Sequence, residues 1–457
     1  MKLINVFRKT LKKHFDRIKS EKLKQRLLQA VPFWIGSLLT GLIAVGYAEL
    51  YGWAEKERIY LFSHINWLIF ILTPACFITA WWLVVKFSPN SKGSGIPQVM
   101  AAIELANPRH NYKVEKLLSL RIVIVKIASS LVMVFGGGII GREGPTVQIA
   151  GSIFRKVNEW LPPWWPKISK RNMIMTGAAA GLAAAFNTPL GGIVFAVEQL
   201  TKTHISYFKT ALFSAVIIAG ITAQGLLGPY LYLGYPQLSG TSVAAFAFVI
   251  VVAIVAGLAG SGMSKLILVV TGWKAGFKFK YQHIIYVVVS AFIIAGFAYC
   301  LTGSALGSGK EYMNNLLFSS NKYSAWYVPV FRISGSVFSF TTGAAGGVFA
   351  PALSTGATIG SVLAHWFHTS GADSNLLILC GMVSFLTGVT RTPFTASILV
   401  LEMTDRHNVI FQLMLAGVVA SIVSMTIDKH SLYDHLKLQY LKDVHEEDNE
   451  NKVVAAQ

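Results

Sequence analysis

Glu143 and Arg142 stand together in Gly141-Arg142-Glu143-Gly144-Pro145, between long apolar stretches. An ionisable group at membrane depth costs roughly a few kcal/mol without partners, so its default reading is an ion, substrate or proton site. Two hydroxyl donors could serve the same chemistry. Ser94 lies in Gly93-Ser94-Gly95, and Tyr433 ends Lys429-His430-Ser431-Leu432-Tyr433, where it could equally be an interfacial anchor. Glycine-rich turns leading into helices expose unpaired N–H groups at the positive end of the helix dipole, which together can hold an anion without a full cation. Dipoles and hydroxyls bind more weakly than a buried Lys or Arg would, and so let the ion leave. An intramembrane serine hydrolase built on Ser94 has little behind it, because there is no GxSxG elbow and no motif-defined base.

The elements that carry these residues are membrane segments. Of 457 residues, 53% are hydrophobic and 13% charged, with a mean hydropathy of +0.53, which marks a polytopic membrane protein. Ten Lys and Arg fall between Lys2 and Arg26, so the net charge of +19 reads as positive-inside topology with a cytoplasmic N-terminus, not as nucleic-acid binding. Phe7, Leu11, Phe15 and Ile18 recur at helical spacing, which predicts a basic amphipathic helix over 1–30. Segments 33–52, 66–88 and 243–272 are long enough to span. Runs around 136–153, 176–201, 343–364 and 382–404 are broken by Gly or Pro, as in helices that line a polar pathway. Cys76, Cys300 and Cys380 show no metal or disulfide pairing and read as core residues. The acidic tail, 441–457, is too short for a regulatory domain.

Paired motifs point to duplication. Gly93-Ser94-Gly95 recurs as Gly307-Ser308-Gly309, Gly141-x-x-x-Pro145 as Gly347-x-x-x-Pro351, and Thr188-Pro189 as Thr392-Pro393. The last pair carries Glu198 onto Glu402, and the second carries Glu143 onto Phe349. Arg155, Lys156, Lys167, Lys170 and Arg171 follow the first Gly-x-x-x-Pro, whereas 365–375 contains no Lys or Arg, which favours an inverted over a parallel repeat. The expected fold is therefore an all-α polytopic membrane protein with two inverted-topology repeats of tilted and broken helices, about 66–230 and 284–427, inside a transmembrane domain at 31–440.

Gly93-Ser94-Gly95-Ile96-Pro97, Gly141-Arg142-Glu143-Gly144-Pro145, Gly347-Val348-Phe349-Ala350-Pro351 and the late Tyr433 closely resemble the CLC family of chloride channels and proton/chloride antiporters. The resemblance implies a homodimer in the cell membrane with one anion pathway per subunit and no cofactor or metal. It also implies a central chloride held by the Ser94 and Tyr433 hydroxyls and by backbone amides around Ile96, Gly144, Val348 and Phe349. Glu143 matches the family's gating glutamate, whose carboxylate competes with an incoming anion and so links anion entry to protonation. Serine at position 94 implies chloride, with bromide and nitrate also expected to permeate. One departure matters. Where many family antiporters carry two consecutive acids, this chain has Glu198 followed by Gln199, which cannot titrate. Proton-coupled antiport with water bypassing Gln199 and a passive proton-gated channel both stay open, and Glu198 is either a proton relay or a structural helix-end acid.

Overall fold

The computed structural model describes residues 13, 16, 19–107, 110–201, 209–228, 231–238, 243–301, 306–369 and 371–455. Among them the regular structure is helical, joined by turns and two isolated backbone bridges. Eight of these helices are long and apolar enough to cross a bilayer, and the chain is an integral membrane protein.

Helix α1 (Glu21–His64) begins at Ser20, whose Oγ accepts the Leu23 N–H at 3.4 Å. Its 44 residues extend about 66 Å at 1.5 Å each, so it must tilt or project beyond the bilayer. It crosses the expected boundary at 30–31 without a break. Phe7, Leu11, Phe15 and Ile18 lie outside the described residues.

The rest of the first half is α2 (Ile69–Phe87), α3 (Ile96–Leu105), the short α4 (Val114–Leu117), α5 (Leu120–Phe135), α6 (Glu143–Trp160), α7 (Lys170–Phe186), α8 (Pro189–Phe195) with a π-helical extension (Ala196–Leu200), and α9 (Lys209–Leu227). After α10 (Val243–Ala275) the order repeats as α11 (Lys280–Leu301), α12 (Lys310–Phe318), α13 (Tyr327–Thr341), α14 (Phe349–Trp366), α15 (Gly371–Thr390), α16 (Pro393–Thr404) and α17 (Ile410–Ser424). The last helix, α18 (Leu432–Ala455), runs unbroken through the expected boundary at 440–441.

The repeat is wider than the motifs suggest. α1 packs on α5, α6, α7 and α9, and α10 packs on the counterparts α13, α14, α15 and α17. The two long helices thus make corresponding contacts in the two halves, and both start outside the expected repeat bounds of 66–230 and 284–427. Motif pairing could not find them, because lipid-facing apolar helices carry no fixed turn residues.

Where the halves meet, Gly141 N–H donates to Gly347 O at 2.7 Å and Gly347 N–H to Gly141 O at 2.8 Å, in an antiparallel bridge. Equivalent residues that bond each other reciprocally sit across a local two-fold, as an inverted repeat requires. The helix breaks repeat too. Asn187 and Arg391 both take left-handed backbone (φ +56° and +59°), and Thr-Pro follows each to start a new helix.

Small residues let the buried helices approach closely. A Cβ added to Gly181 of α7 would lie 2.6 Å from Ala150 Cβ of α6, and one on Gly360 of α14 would lie 2.8 Å from Ile378 Cα of α15. Cys76 and Cys380 are buried, but Cys300, near the end of α11, is exposed and not a core residue.

Candidate functional site

Three helix N-termini converge, at Ile96 of α3, Glu143 of α6 and Phe349 of α14. None of them has a side-chain cap. Gly93 (φ +62°) and Gly95 (φ +104°) turn the chain into α3, and a Cβ on Gly95 would sit 2.7 Å from Gln148 Cβ and 2.9 Å from Gly144 O. Gly347 is equally close, since its Cβ would lie 3.2 Å from Gly144 N. Packing of backbone on backbone therefore aims the first turns of α3, α6 and α14 at one region, where their N–H groups add to the positive ends of three dipoles. Ile96, Gly144, Val348 and Phe349 are all buried there.

Ser94 and Tyr433 meet at this point as neighbours. Ser94 Oγ and Tyr433 OH are buried, yet neither makes a hydrogen bond of ordinary geometry in the protein. A buried hydroxyl left unpaired costs about 1–3 kcal/mol, which an anion accepting from both would recover. Tyr433 is placed by α18, whose start is held by Ser431 and Asp434 through the Ser431 Oγ–H to Asp434 Oδ2 bond at 2.7 Å.

Glu143 is fully buried at the first position of α6. Tyr232 OH donates to its Oε1 at 3.4 Å, the backbone N–H groups of Glu143 and Ala350 point at the carboxylate, and Oε2 makes no hydrogen bond of ordinary geometry. Phe186 packs edge-on against Tyr232 (centroids 5.1 Å apart) and tilted against Phe349 (5.9 Å), forming an aromatic wall beside the carboxylate.

Two basic cavities flank the site. One, of about 640 Å³, has Ser94 on its wall with Lys92, Lys274, Lys280, His283 and Lys442, and Asp443 as its acid. The other, of about 420 Å³, carries Arg142, Lys310 and Lys56, with Glu49 opposing them. Clefts lined by one sign of charge concentrate the opposite ion, here an anion at both mouths. Arg142 also donates to Ala185 O at 3.4 Å, and Lys310 Nζ lies 4.6 Å from the centre of the Tyr232 ring.

Several residues at the site carry no motif. Tyr232 is one. Lys126 and Arg332, both completely buried, are another pair: Lys126 Nζ donates to Gly93 O at 3.0 Å, and Arg332 Nη2 to Ser308 O at 3.2 Å. They occupy equivalent places, 206 residues apart like Gly141 and Gly347, so the repeat offset could have revealed them. Each cation clamps the carbonyl side of its own Gly-Ser-Gly turn.

Glu198 is placed elsewhere. Its carboxylate accepts from Phe394 N (3.2 Å), Thr395 N (2.7 Å) and Thr395 Oγ1 (2.6 Å), capping α16. Glu402 caps α8 in return through Leu190 N (3.0 Å) and Gly191 N (2.6 Å). Gln199 is buried, its Nε2 donating to Met100 Sδ at 3.4 Å.

A sequence model of the voltage-gated chloride channel family matches residues 76–425, three quarters of the chain and every turn described above except the start of α18. The chain belongs to the voltage-gated chloride channel family. Among curated family relatives, the H+/Cl− exchange transporter ClcA of Cronobacter sakazakii is 28% identical over 419 residues, covering 87% of this chain and 86% of that protein. The protein of the same name from Yersinia pestis is 26% identical over 414 residues, with 87% and 84% covered. A slow cyanobacterial Cl−/H+ antiporter shares the fold with a TM-score of 0.79 at 23% identity, covering 91% of this chain and 98% of that one. A CLC-type fluoride/proton antiporter gives 0.75 at 21% identity over the same shares.

Proposed function

We propose that this chain transports chloride across the cell membrane in exchange for protons, with Glu143 as both gate and proton acceptor. The observation that carries this reading is the Glu143 carboxylate at an uncapped helix N-terminus, next to the α14 turn that converges with the unpaired Ser94 and Tyr433 hydroxyls. Chloride binds between those hydroxyls and the amides around Ile96, Gly144, Val348 and Phe349. Ionised, the Glu143 carboxylate takes the place of an anion among the same donors. Protonated, it no longer competes for them and swings aside. Curated relatives named as H+/Cl− exchangers over 87% of the chain support exchange.

The basic N-terminus faces the cytoplasm, and the functional unit is a homodimer. Glu198, fully used as a cap, is structural, and water carries the proton past Gln199.

Gln199 favours one second reading, a passive channel in which protonation of Glu143 only gates, because its amide is buried against Met100 Sδ and cannot titrate. Reconstituted protein separates the two. Exchange predicts that an imposed chloride gradient drives protons uphill, and chloride flux with no proton movement would leave the channel.

A further inference from the structure

A cavity of about 740 Å³ lies apart from the pathway, between the start of α1, the segment preceding α7 and the start of α9. Its walls are fixed. Trp165 is buried and its Nε1–H donates to Leu28 O at 2.6 Å, pinning the 161–169 segment to α1, while Trp34 Nε1–H donates to Ser214 Oγ at 3.3 Å and ties α1 to α9. The charge is one-sided. Arg26 and Lys167 line the cavity, and among the described residues no Asp or Glu does.

The start of α7 adds an independent sign. Ser169 and Asn172, its N-cap and third residue, are on the cavity wall, and its first turn carries Lys170 and Arg171 with no acid. Helix N-termini favour anions because the dipole is positive there, and the basic side chains of this first turn add to that field. The surroundings specify the kind of anion. Leu23 and Leu27, one helical turn apart, form an apolar wall with Trp34, and Trp164 and Trp165 pack together (centroids 5.2 Å apart) in the segment preceding α7, a residue type suited to a membrane interface. A free phosphate has no use for that wall.

We infer that this cavity binds the headgroup of an anionic phospholipid from the leaflet on the N-terminal side, with Arg26, Lys167 and the α7 N-terminus around the phosphate and the acyl chains along α1. Basic pockets between transmembrane helices suit such headgroups, and each basic side chain near an anionic lipid is worth about a factor of five in affinity.

Native mass spectrometry of the full-length protein with phosphatidylglycerol, phosphatidylcholine or inorganic phosphate tests this. Phosphatidylglycerol should be retained over phosphatidylcholine, and millimolar inorganic phosphate should not displace it. Arg26→Gln/Lys167→Gln should weaken retention about twenty-five-fold, two factors of five, with chloride flux in phosphatidylcholine vesicles unchanged. If the double variant does not fold, Lys167→Gln alone, at an exposed side chain, should weaken it about fivefold. Equal retention of phosphatidylcholine, unaltered retention in the variants, displacement by inorganic phosphate, or cross-linking of Arg26→Cys into a second copy of the chain would each overturn the assignment.

Discussion

The two Gly-Ser-Gly turns share a scaffold and differ in what meets them. At Gly93-Ser94-Gly95 a buried amine, Lys126, holds the Gly93 carbonyl, and the Ser94 hydroxyl has no hydrogen bond of ordinary geometry beside Tyr433. At Gly307-Ser308-Gly309 the matching cation, Arg332, holds the Ser308 carbonyl, but Glu55 Oε1 accepts the Ser308 N–H at 2.8 Å and Ser308 Oγ accepts Lys310 N–H at 3.4 Å. The chain's own carboxylate satisfies the second turn. The first turn keeps a hydroxyl that the protein does not satisfy, and the Glu143 carboxylate stands near it. Duplication supplied two such turns, and Glu55 closes one of them.

Breaking that contrast at Glu143 should have the largest effect. Glu143→Gln should bring proton movement in liposomes to background while chloride flux persists and loses its acid activation. Acid activation that survived would sink the gating role. Ser94→Ala and Tyr433→Phe each remove one hydrogen bond to an anion, worth about 1.5–3 kcal/mol, so calorimetry should show chloride affinity falling roughly tenfold or more. The same pair of experiments at the second turn sharpens the comparison. Ser308→Ala should leave chloride affinity unaltered, and Glu55→Gln should lower thermal stability by about 2 kcal/mol through the lost charged hydrogen bond. A chloride-affinity change at Ser308 would mean that the second turn also binds anions. The smallest effect belongs to the caps, where Glu198→Ala or Glu402→Ala should each cost about 1 kcal/mol of stability. Loss of proton coupling in Glu198→Ala, with stability and chloride flux retained, would return that residue to the proton path.

Much of this was legible because turns demand particular residues. Gly93, Gly95, Pro145 and Pro351 are set by backbone geometry, so they survive as motifs and reveal both the repeat and the turns that start its buried helices. Asn187 is readable in the same way, as a residue that tolerates left-handed backbone, whereas its equivalent Arg391 is not. Residues that act through long-range packing left no local sign. Glu55 hides in the charged run Glu55-Lys56-Glu57-Arg58, and nothing near Tyr232 says that its hydroxyl reaches a carboxylate 89 positions earlier. Tyr433 could be read as a donor by its resemblance, but only the course of α18 brings it back to Ser94.

The exchanged caps at Glu198 and Glu402 bear on how such a chain can be assembled. Each half holds a carboxylate that finishes a helix in the other, so neither is complete by itself: separated, each would present a bare helix start and a carboxylate with nothing to accept from. Two copies of one half, inserted in opposite orientations, would meet both needs with a single contact made twice. Fusion into one chain then freed each half to change alone, and an acid at Glu143 facing a phenylalanine at Phe349 is what that freedom left behind.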